Sequence, residues 1–210
     1  MIRIMIVDDH TVVRHGLKQV IEAGNNMKIC KETASGREAI SFASAGHCDL
    51  VLLDISLSDT HGIDVLKQIK QARPDIGVII LSMHPEDQYG LRTLQAGASG
   101  YLTKDCEPSE LIQAIQRVHG GRKYISPAMA QLMADNISSS NNCLPHETLS
   151  DREYQILCMI AKGKRVKDIA ENLGLSPKSV STYRTRLLQK LKLQNNEQLI
   201  SYARQHDLLD

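Results

Sequence analysis

Aromatic residues are scarce in this 210-residue chain, which contains one Phe, no Trp and six Tyr. A hydrophobic core must therefore consist mainly of Ile, Leu, Val, Met and Ala. Cysteine is also sparse, and its five copies are scattered without a C-x-x-C pair. Disulfide frameworks and zinc sites need cysteines at characteristic spacings. The pattern fits neither kind of site and indicates reduced thiols in a cytoplasmic protein.

Long apolar runs and targeting segments are missing as well. No stretch approaches the roughly 20 apolar residues that a membrane-spanning helix needs, and the chain begins directly in a strand pattern rather than in a signal peptide. No G-x-G-x-x-G motif follows the first strand, which argues against a dinucleotide-dependent enzyme. We therefore expect a cytoplasmic protein without a membrane partner.

Charge is nearly balanced overall but is unevenly placed. The formal net charge is +1, yet residues 1–145 carry 14 Lys and Arg against 16 Asp and Glu, whereas residues 146–210 carry 11 against 8. Residues 176–192 hold five basic residues and no acidic one. A basic segment in a neutral chain favours a polyanionic partner, although a solvated helix face has the same composition.

The first 120 residues alternate between strand and helix patterns. Five short apolar runs, the second at residues 28–31, are separated by amphipathic stretches of about ten residues. This alternation predicts a doubly wound five-stranded parallel sheet, an α/β fold. A further short helix is predicted to follow Ser126 as N-cap and Pro127 at its first position. The polar residues 136–142 then have the composition of a flexible linker.

The C-terminal segment predicts four helices in an all-α domain. Ser150 and Glu153 match a capping box, and Gly163 ends the helix that they open. A second helix, a tight turn at Gly174 and a third helix capped by Ser176 follow. A helix, a glycine turn and a second capped helix form the helix-turn-helix signature, and the basic third helix favours DNA as the partner.

Carboxylates collect at the ends of the predicted strands. Asp8 and Asp9 follow the first strand, and Asp54 ends the third. Those strands are neighbours in the usual doubly wound order, so the carboxylates would share one crevice and repel one another unless a cation lay among them. Oxygen ligands of this kind suit Mg²⁺. Ser82 and Lys104 end the fourth and fifth strands, and they would add the hydroxyl and ammonium groups needed for phosphoryl transfer onto Asp54.

This constellation resembles the receiver domain of two-component response regulators, and the C-terminal helices resemble the LuxR-type helix-turn-helix of the NarL/FixJ subfamily. The receiver motif comprises Asp8, Asp9, Asp54, Ser82, Tyr101 and Lys104. The output motif runs from Leu149-Ser150-Asp151-Arg152-Glu153 through Gly163, Asp168-Ile169-Ala170 and Ser176-Pro177-Lys178-Ser179-Val180 to Lys190-Leu191. The resemblance implies a CheY-like receiver at residues 1–124, a linker with a short helix at 125–146 and the helix-turn-helix domain at 147–210.

The resemblance also implies a DNA-binding transcriptional regulator rather than an enzyme. A sensor histidine kinase would phosphorylate Asp54, draw the Ser82 hydroxyl inward and let Tyr101 fill the vacated space. The altered receiver would form a homodimer and bind promoter DNA, with RNA polymerase as a further partner. The implied Mg²⁺ ligands are Asp8, Asp9, Asp54 and the backbone carbonyl of Ser56.

The predicted recognition helix has a polar outer face. With Val180 buried, the helical period places Leu187 and Leu191 on the same inner side. The candidates for DNA contact on the outer side are Lys178, Ser181, Thr182, Thr185, Arg186 and Gln189, of which the resemblance favours Ser181, Thr182 and Thr185 for base contacts. Before and within the second helix, Lys164, Arg165 and Lys167 suit phosphate contacts, and a solvated loop explains them equally well.

Two positions depart from the family pattern. Ser58 stands where receivers usually carry a proline, and Asp105 stands where many have a cis-proline. Because of these departures, a receiver that dimerises without phosphorylation stays an alternative interpretation. Ser56 and His84 occupy positions that, in receivers, influence the rate at which the phosphoryl group is hydrolysed. Alternatively, His84 is a solvent-facing histidine in a loop. A phosphatase with an aspartyl intermediate is disfavoured, because its acid/base aspartate would stand at Ser56.

Overall fold

The computed structural model describes residues 1–24, 26–138, 145–206 and 208. The chain divides into two compact units, Met1–Met133 and Ala134–Asp210. Of the predicted linker at 136–142, residues 136–138 belong to a helix, and residues 139–142 lie outside the described residues. Within the described ranges, every helix is too short or too polar to cross a membrane.

The first unit contains one parallel sheet with the strand order β2-β1-β3-β4-β5. Its strands are β1 Ile2–Val7, β2 Met27–Thr33, β3 Leu50–Asp54, β4 Gly77–Ser82 and β5 Gly100–Thr103. The order confirms the doubly wound α/β fold, and it places β1 and β3 side by side. All five residues of β3 are buried, because helices cover both faces of such a sheet.

Five helices alternate with these strands. They are α1 Thr11–Ala23, α2 Gly36–Ser44, α3 Gly62–Ala72, α4 Glu86–Gln95 and α5 Pro108–His119. On one face of the sheet, Ile4, Ile6 and Leu52 form a core cluster with Leu111 and Ile115 of α5. The aliphatic composition therefore suffices to build the core, and the polar strand ends are left at one edge.

Helix α6, Pro127–Ser138, begins against α4. Ser126 Oγ donates a hydrogen bond to Glu86 and accepts one from the Met129 amide at 3.0 Å, so Ser126 caps α6 as predicted. Met129 is 1% exposed. A Cβ added to Gly90 would lie 1.9 Å from its Cε. Glycine inside a helix costs up to about 1 kcal/mol relative to alanine, and a side chain at position 90 would have to displace the end of the Met129 side chain.

The second unit is all-α, as predicted. A 3₁₀ turn at Pro145–Thr148 precedes the helices α7 Asp151–Ala161, α8 Val166–Asn172, α9 Pro177–Leu191 and α10 Asn196–Gln205. Gly163 and Gly174 end α7 and α8 with positive φ values of 78° and 60°, a conformation that glycine adopts without strain. Ser176 Oγ accepts from the Ser179 amide at 3.0 Å, which confirms the predicted cap of α9.

Glu153 joins the start of α7 to the end of α9. Its Oε2 accepts hydrogen bonds from the Ser150 amide at 2.8 Å and from Lys190 Nζ at 2.7 Å, and the Glu153 amide donates to Ser150 Oγ. Burial pushes the pKa of Glu153 upward, but Lys190 and Ser150 outweigh burial and hold this pKa below its ordinary value. The predicted capping box is therefore also a link between two helices.

We expect Glu153→Ala to destabilise the second unit by about 2 kcal/mol, because it removes a helix cap and a charge-assisted hydrogen bond. A unit of this size loses about 4–8 °C in Tm per kcal/mol, which calorimetry of the full chain would register. Since the pKa of Glu153 is lowered in the folded state, its contribution is complete above the ordinary carboxyl pKa and is lost as pH falls through the folded pKa. The difference in Tm between the wild type and the variant must therefore become smaller as the pH falls.

The exposed Glu171 in α8 offers a matched control, and Glu171→Ala is expected to change Tm little. A Glu153→Ala effect no larger than that of Glu171→Ala, or one that is constant from neutral to acidic pH, would contradict this role of Glu153.

Candidate functional site

Asp8, Asp54 and Lys104 meet at the carboxyl edge of the sheet. Parallel pairing aligns the ends of β1 and β3, with Val7 opposite Leu53, and the end of β5 supplies the lysine. Lys104 Nζ lies 2.7 Å from Asp8 Oδ2 and 2.7 Å from Asp54 Oδ2. Both carboxylates are 1% exposed. Asp8, Asp54 and Lys104 therefore form one buried ionic triad, whereas Asp9, the second residue of the predicted acidic pair, is half-buried beside it.

Burial dominates the electrostatics of this triad. It raises the pKa of Asp54, although Lys104 and the Ser56 amide, which donates to Asp54 Oδ1 at 3.0 Å, pull that pKa down. Burial also opposes the charge on Lys104, but the two carboxylates outweigh it and raise the lysine pKa. Lys104 is therefore charged at neutral pH, and a further cation would favour ionised Asp54. The backbone carbonyl of Ser56 stays a predicted metal ligand.

The acidic cluster has the donor set for a metal ion. Potential ligand atoms come within 4.8 Å of one another in a group made of Asp8, Asp9, His10 and Asp54. Among the described residues, two buried oxygens each have one close nitrogen neighbour: Asp8 Oδ2 lies 2.7 Å from Lys104 Nζ, and Asp9 Oδ1 lies 2.9 Å from His10 Nδ1. Carboxylate oxygens with unused acceptor capacity fit a hard divalent cation such as Mg²⁺.

The backbone of Gly62 lies close to the backbone of Asp54 and Ile55, and this contact holds the loop after β3 against Asp54. The Gly62 amide donates to the Ile55 carbonyl at 2.9 Å. A Cβ on Gly62 would lie 2.4 Å from the Asp54 carbonyl oxygen and 2.6 Å from Ile55 Cα. Only glycine fits this position without moving the backbone, so Gly62 fixes the loop that surrounds the carboxylate.

Ser82 and Tyr101 are both buried and share one backbone partner. Ser82 Oγ accepts from the His84 amide at 3.0 Å, and Tyr101 Oη donates to the His84 carbonyl at 2.7 Å. Burial raises the pKa of Tyr101, so its hydroxyl keeps the proton for this bond. The His84 ring is half-buried and packs against the Tyr89 ring at a tilt of 46°, with centroids 5.1 Å apart. His84 is therefore not a fully solvent-facing loop residue, and its backbone ties the β4–α4 loop to Ser82 and Tyr101.

Sequence reasoning missed two residues at the acidic pair. His10 Nδ1 lies 3.2 Å from Asp8 Oδ1, and Arg14 donates to the Asp8 carbonyl at 2.6 Å. His10 directly follows the carboxylates and Arg14 comes four residues later, one helical turn on. That spacing is the signal that could have identified them.

The second unit exposes the predicted outer face of α9. Val180, Leu187 and Leu191 are buried, and the exposed candidates are Lys178, Ser181, Thr182, Thr185, Arg186 and Gln189. The other basic candidates, Lys164, Arg165 and Lys167, are also exposed, in the α7–α8 connection and the first turn of α8. This arrangement suits a helix that enters the major groove, with the basic connection available for phosphates.

Comparison with known proteins assigns each unit to a family. Residues 4–116 match the response regulator receiver domain, and residues 147–203 match the luxR family of bacterial regulatory proteins. The response regulator UvrY from Escherichia coli O6:H1 is 37% identical over 209 residues, which cover 99% of this chain and 96% of UvrY. The response regulator GacA from Pseudomonas viridiflava is 36% identical over 211 residues, with coverage of 100% and 99%.

The fold is also similar to a solved structure of RcsB from Salmonella enterica serovar Typhimurium, bound to a promoter in the presence of the phosphomimetic BeF3⁻. The TM-score is 0.67 and the identity 24%, with 96% of this chain and 97% of RcsB covered. At that identity the likeness concerns the fold alone. Together, the sheet with its ionic triad, the capped recognition helix and the two family matches show that the chain belongs to the NarL/FixJ-family response regulators of two-component systems, with a receiver domain and a LuxR-type helix-turn-helix DNA-binding domain.

Proposed function

We propose that phosphorylation of Asp54 switches this regulator to a homodimer that binds promoter DNA. The observation that carries the proposal is the setting of Asp54, a buried carboxylate that ends a central strand and contacts one ammonium group. Carboxylate oxygens with unused acceptor capacity lie beside it. A carboxylate in this setting is suited to accept a phosphoryl group rather than to stabilise the fold.

Asp54 provides the oxygen that receives the phosphoryl group. In transfer from a sensor histidine kinase, the phosphorus–nitrogen bond of the kinase phosphohistidine breaks, and a phosphorus–oxygen bond to Asp54 forms. Mg²⁺ held by Asp8, Asp9, Asp54 and the Ser56 carbonyl would supply positive charge to the phosphoryl oxygens when bound. Lys104, already 2.7 Å from Asp54, would ion-pair with the phosphorylated side chain.

Ser82 and Tyr101 would pass the change to the rest of the receiver. Ser82 Oγ accepts from the His84 amide and also hydrogen-bonds with the Tyr101 hydroxyl, so the Ser82 hydroxyl would turn from Tyr101 to a phosphoryl oxygen. Tyr101 donates to the carbonyl of the same residue. Movement of Ser82 toward Asp54 therefore acts on the loop that leads into α4, and this would shift the population between two packings of the α4–β5 surface.

The output domain would read DNA with α9, using Lys178, Ser181, Thr182, Thr185, Arg186 and Gln189. Lys164, Arg165 and Lys167 would contact phosphates, which add affinity and salt dependence rather than sequence preference. A dimer would place two such helices on half-sites that lie about one turn of the DNA helix apart, or a multiple of one turn.

RNA polymerase would be a further partner. The proposed domains are the receiver at 1–124, the linker at 125–146, whose helix α6 begins packed against the receiver, and the output domain at 147–210.

Intact-mass measurement of the full chain with acetyl phosphate tests the switch, with and without Mg²⁺, alongside sizing of the same samples. We expect a gain of one phosphoryl group only with Mg²⁺, together with dimer formation. A chain that takes up no phosphoryl group at any Mg²⁺ concentration, yet dimerises, would instead support a receiver that acts without phosphorylation.

A further inference from the structure

We propose that α9 recognises A·T base pairs through hydroxyl oxygens that act only as acceptors and through threonine methyl groups. This inference rests on the proposed function, in which α9 enters the major groove. It concerns Ser181, Thr182 and Thr185, which we call the hydroxyl patch.

All three hydroxyl protons of the patch are already used within the helix. Ser181 Oγ donates to the Pro177 carbonyl at 2.9 Å, Thr182 Oγ1 donates to the Lys178 carbonyl at 3.0 Å, and Thr185 Oγ1 donates to the Ser181 carbonyl at 3.0 Å. A hydroxyl has one proton but two acceptor lone pairs. Toward an external partner, each of these groups therefore offers an acceptor, and donating to a base would forfeit an intrahelical hydrogen bond.

The patch is continuous on the exposed side of the helix. Thr185 lies four residues after Ser181 and three after Thr182, and both spacings place side chains next to each other on a helix surface. All three residues are exposed, whereas Val180 and Leu187 on the opposite side are fully buried. The two threonine methyl groups are therefore neighbours in the patch.

Major-groove chemistry identifies the base pair that complements such a patch. The donors there are the amino groups of adenine and cytosine, guanine offers only acceptors, and thymine adds a methyl group. An A·T pair combines a donor with a methyl group, and a G·C pair has no methyl. Acceptor oxygens beside methyl groups therefore favour A·T pairs. Lys178 and Arg186 carry only donors, so guanine and phosphate contacts fall to them.

The test starts with selection of binding sites from random duplexes by the full chain, treated with acetyl phosphate and Mg²⁺. Uracil then replaces each thymine of the selected motif in turn, which deletes only the methyl group. We expect an A·T-containing motif in which at least one replacement weakens binding by about fourfold, the effect of removing one buried methyl group. This part of the test uses the wild-type chain and does not depend on whether a variant folds.

Variants then assign the methyl contact to its partner. Thr182→Ser and Thr185→Ser keep the hydroxyl and lose the methyl group, so one of them should bind the thymine and uracil duplexes equally. The valine variants at the same positions keep a methyl group and should retain the preference. Thr148→Ser is the matched control, because exposed Thr148 also donates its hydroxyl proton to a backbone carbonyl, that of Pro145 at 2.7 Å.

The outcomes separate the two proposals. Sequence-selective binding that is indifferent to every thymine methyl group would overturn the role of the hydroxyl patch and leave the proposed function intact. So would uracil sensitivity that both serine variants retain. Failure of the treated chain to bind any duplex would overturn the proposed function itself, and this inference with it.

Discussion

Replacing Asp54 with asparagine is expected to abolish uptake of the phosphoryl group from acetyl phosphate. The amide has nearly the shape of the carboxylate but lacks the charged oxygen nucleophile, so the fold is retained while the chemistry is lost. Intact mass with Mg²⁺ would show no adduct on the variant under conditions that label wild type. Sizing would show the variant as monomer, because the proposed dimer depends on the phosphoryl group.

Asp59→Asn is the matched control for this experiment. The Asp59 carboxylate also follows β3, but it accepts hydrogen bonds from Ser35 Oγ at 2.7 Å and from the Gly36 amide at 3.0 Å, at the start of α2. An asparagine there keeps an acceptor oxygen, so labelling should remain close to wild type. Undiminished labelling of the Asp54→Asn variant would place the phosphoryl group on another residue and refute the assignment.

Replacing Lys104 with methionine is expected to destabilise the receiver by about 3–5 kcal/mol, the usual effect of removing one partner from a buried ion pair. The change leaves the carboxylates of Asp8 and Asp54, both nearly inaccessible to water, facing each other without their shared cation. Added Mg²⁺ should recover part of the loss, because the same carboxylates belong to the candidate metal site. Denaturant unfolding of the full chain, with and without Mg²⁺, measures both effects.

Lys18 provides the comparison. Its ammonium group lies 3.1 Å from Glu32 in an ion pair whose side chains are 41% and 29% exposed. Solvent-exposed ion pairs contribute little to stability, so Lys18→Met should lower stability only slightly, and Mg²⁺ should not restore what is lost. Equal losses from the two substitutions would mean that Lys104 does not neutralise the buried carboxylates.

Local rules predicted the parts of the site that single segments determine. A continuous apolar run ending in Asp54 identified the buried central strand, because strands covered on both faces show no alternation. Ser176 and Pro177 marked the start of α9, because cap and first-turn preferences depend on a few adjacent residues. Strand order then followed from the general topology of doubly wound sheets.

The remaining features depend on packing between distant segments. The second strand was predicted at residues 28–31 but runs from Met27 to Thr33, because β2 lies at the edge of the sheet, where polar residues such as Lys31 and Glu32 are tolerated. The shared contacts of Ser82 and Tyr101 with one loop residue need the β4–β5 register, which composition does not encode. The spacing of the hydroxyl patch follows from the helical period, but only the folded structure shows that all three hydroxyl protons are donated to backbone carbonyls of the same helix.

The contact between Met129 and Gly90 bears on where this receiver could be joined to a different output domain. A receiver that ends at residue 124 would leave behind the side chain that fits against α4, whereas the compact unit continues to Met133. A receiver that is joined to another output domain must therefore keep the first turns of α6 together with the sheet. In a fusion with the output domain of a paralogue, the junction that leaves the receiver intact therefore lies within α6, after Met129, and not before α6.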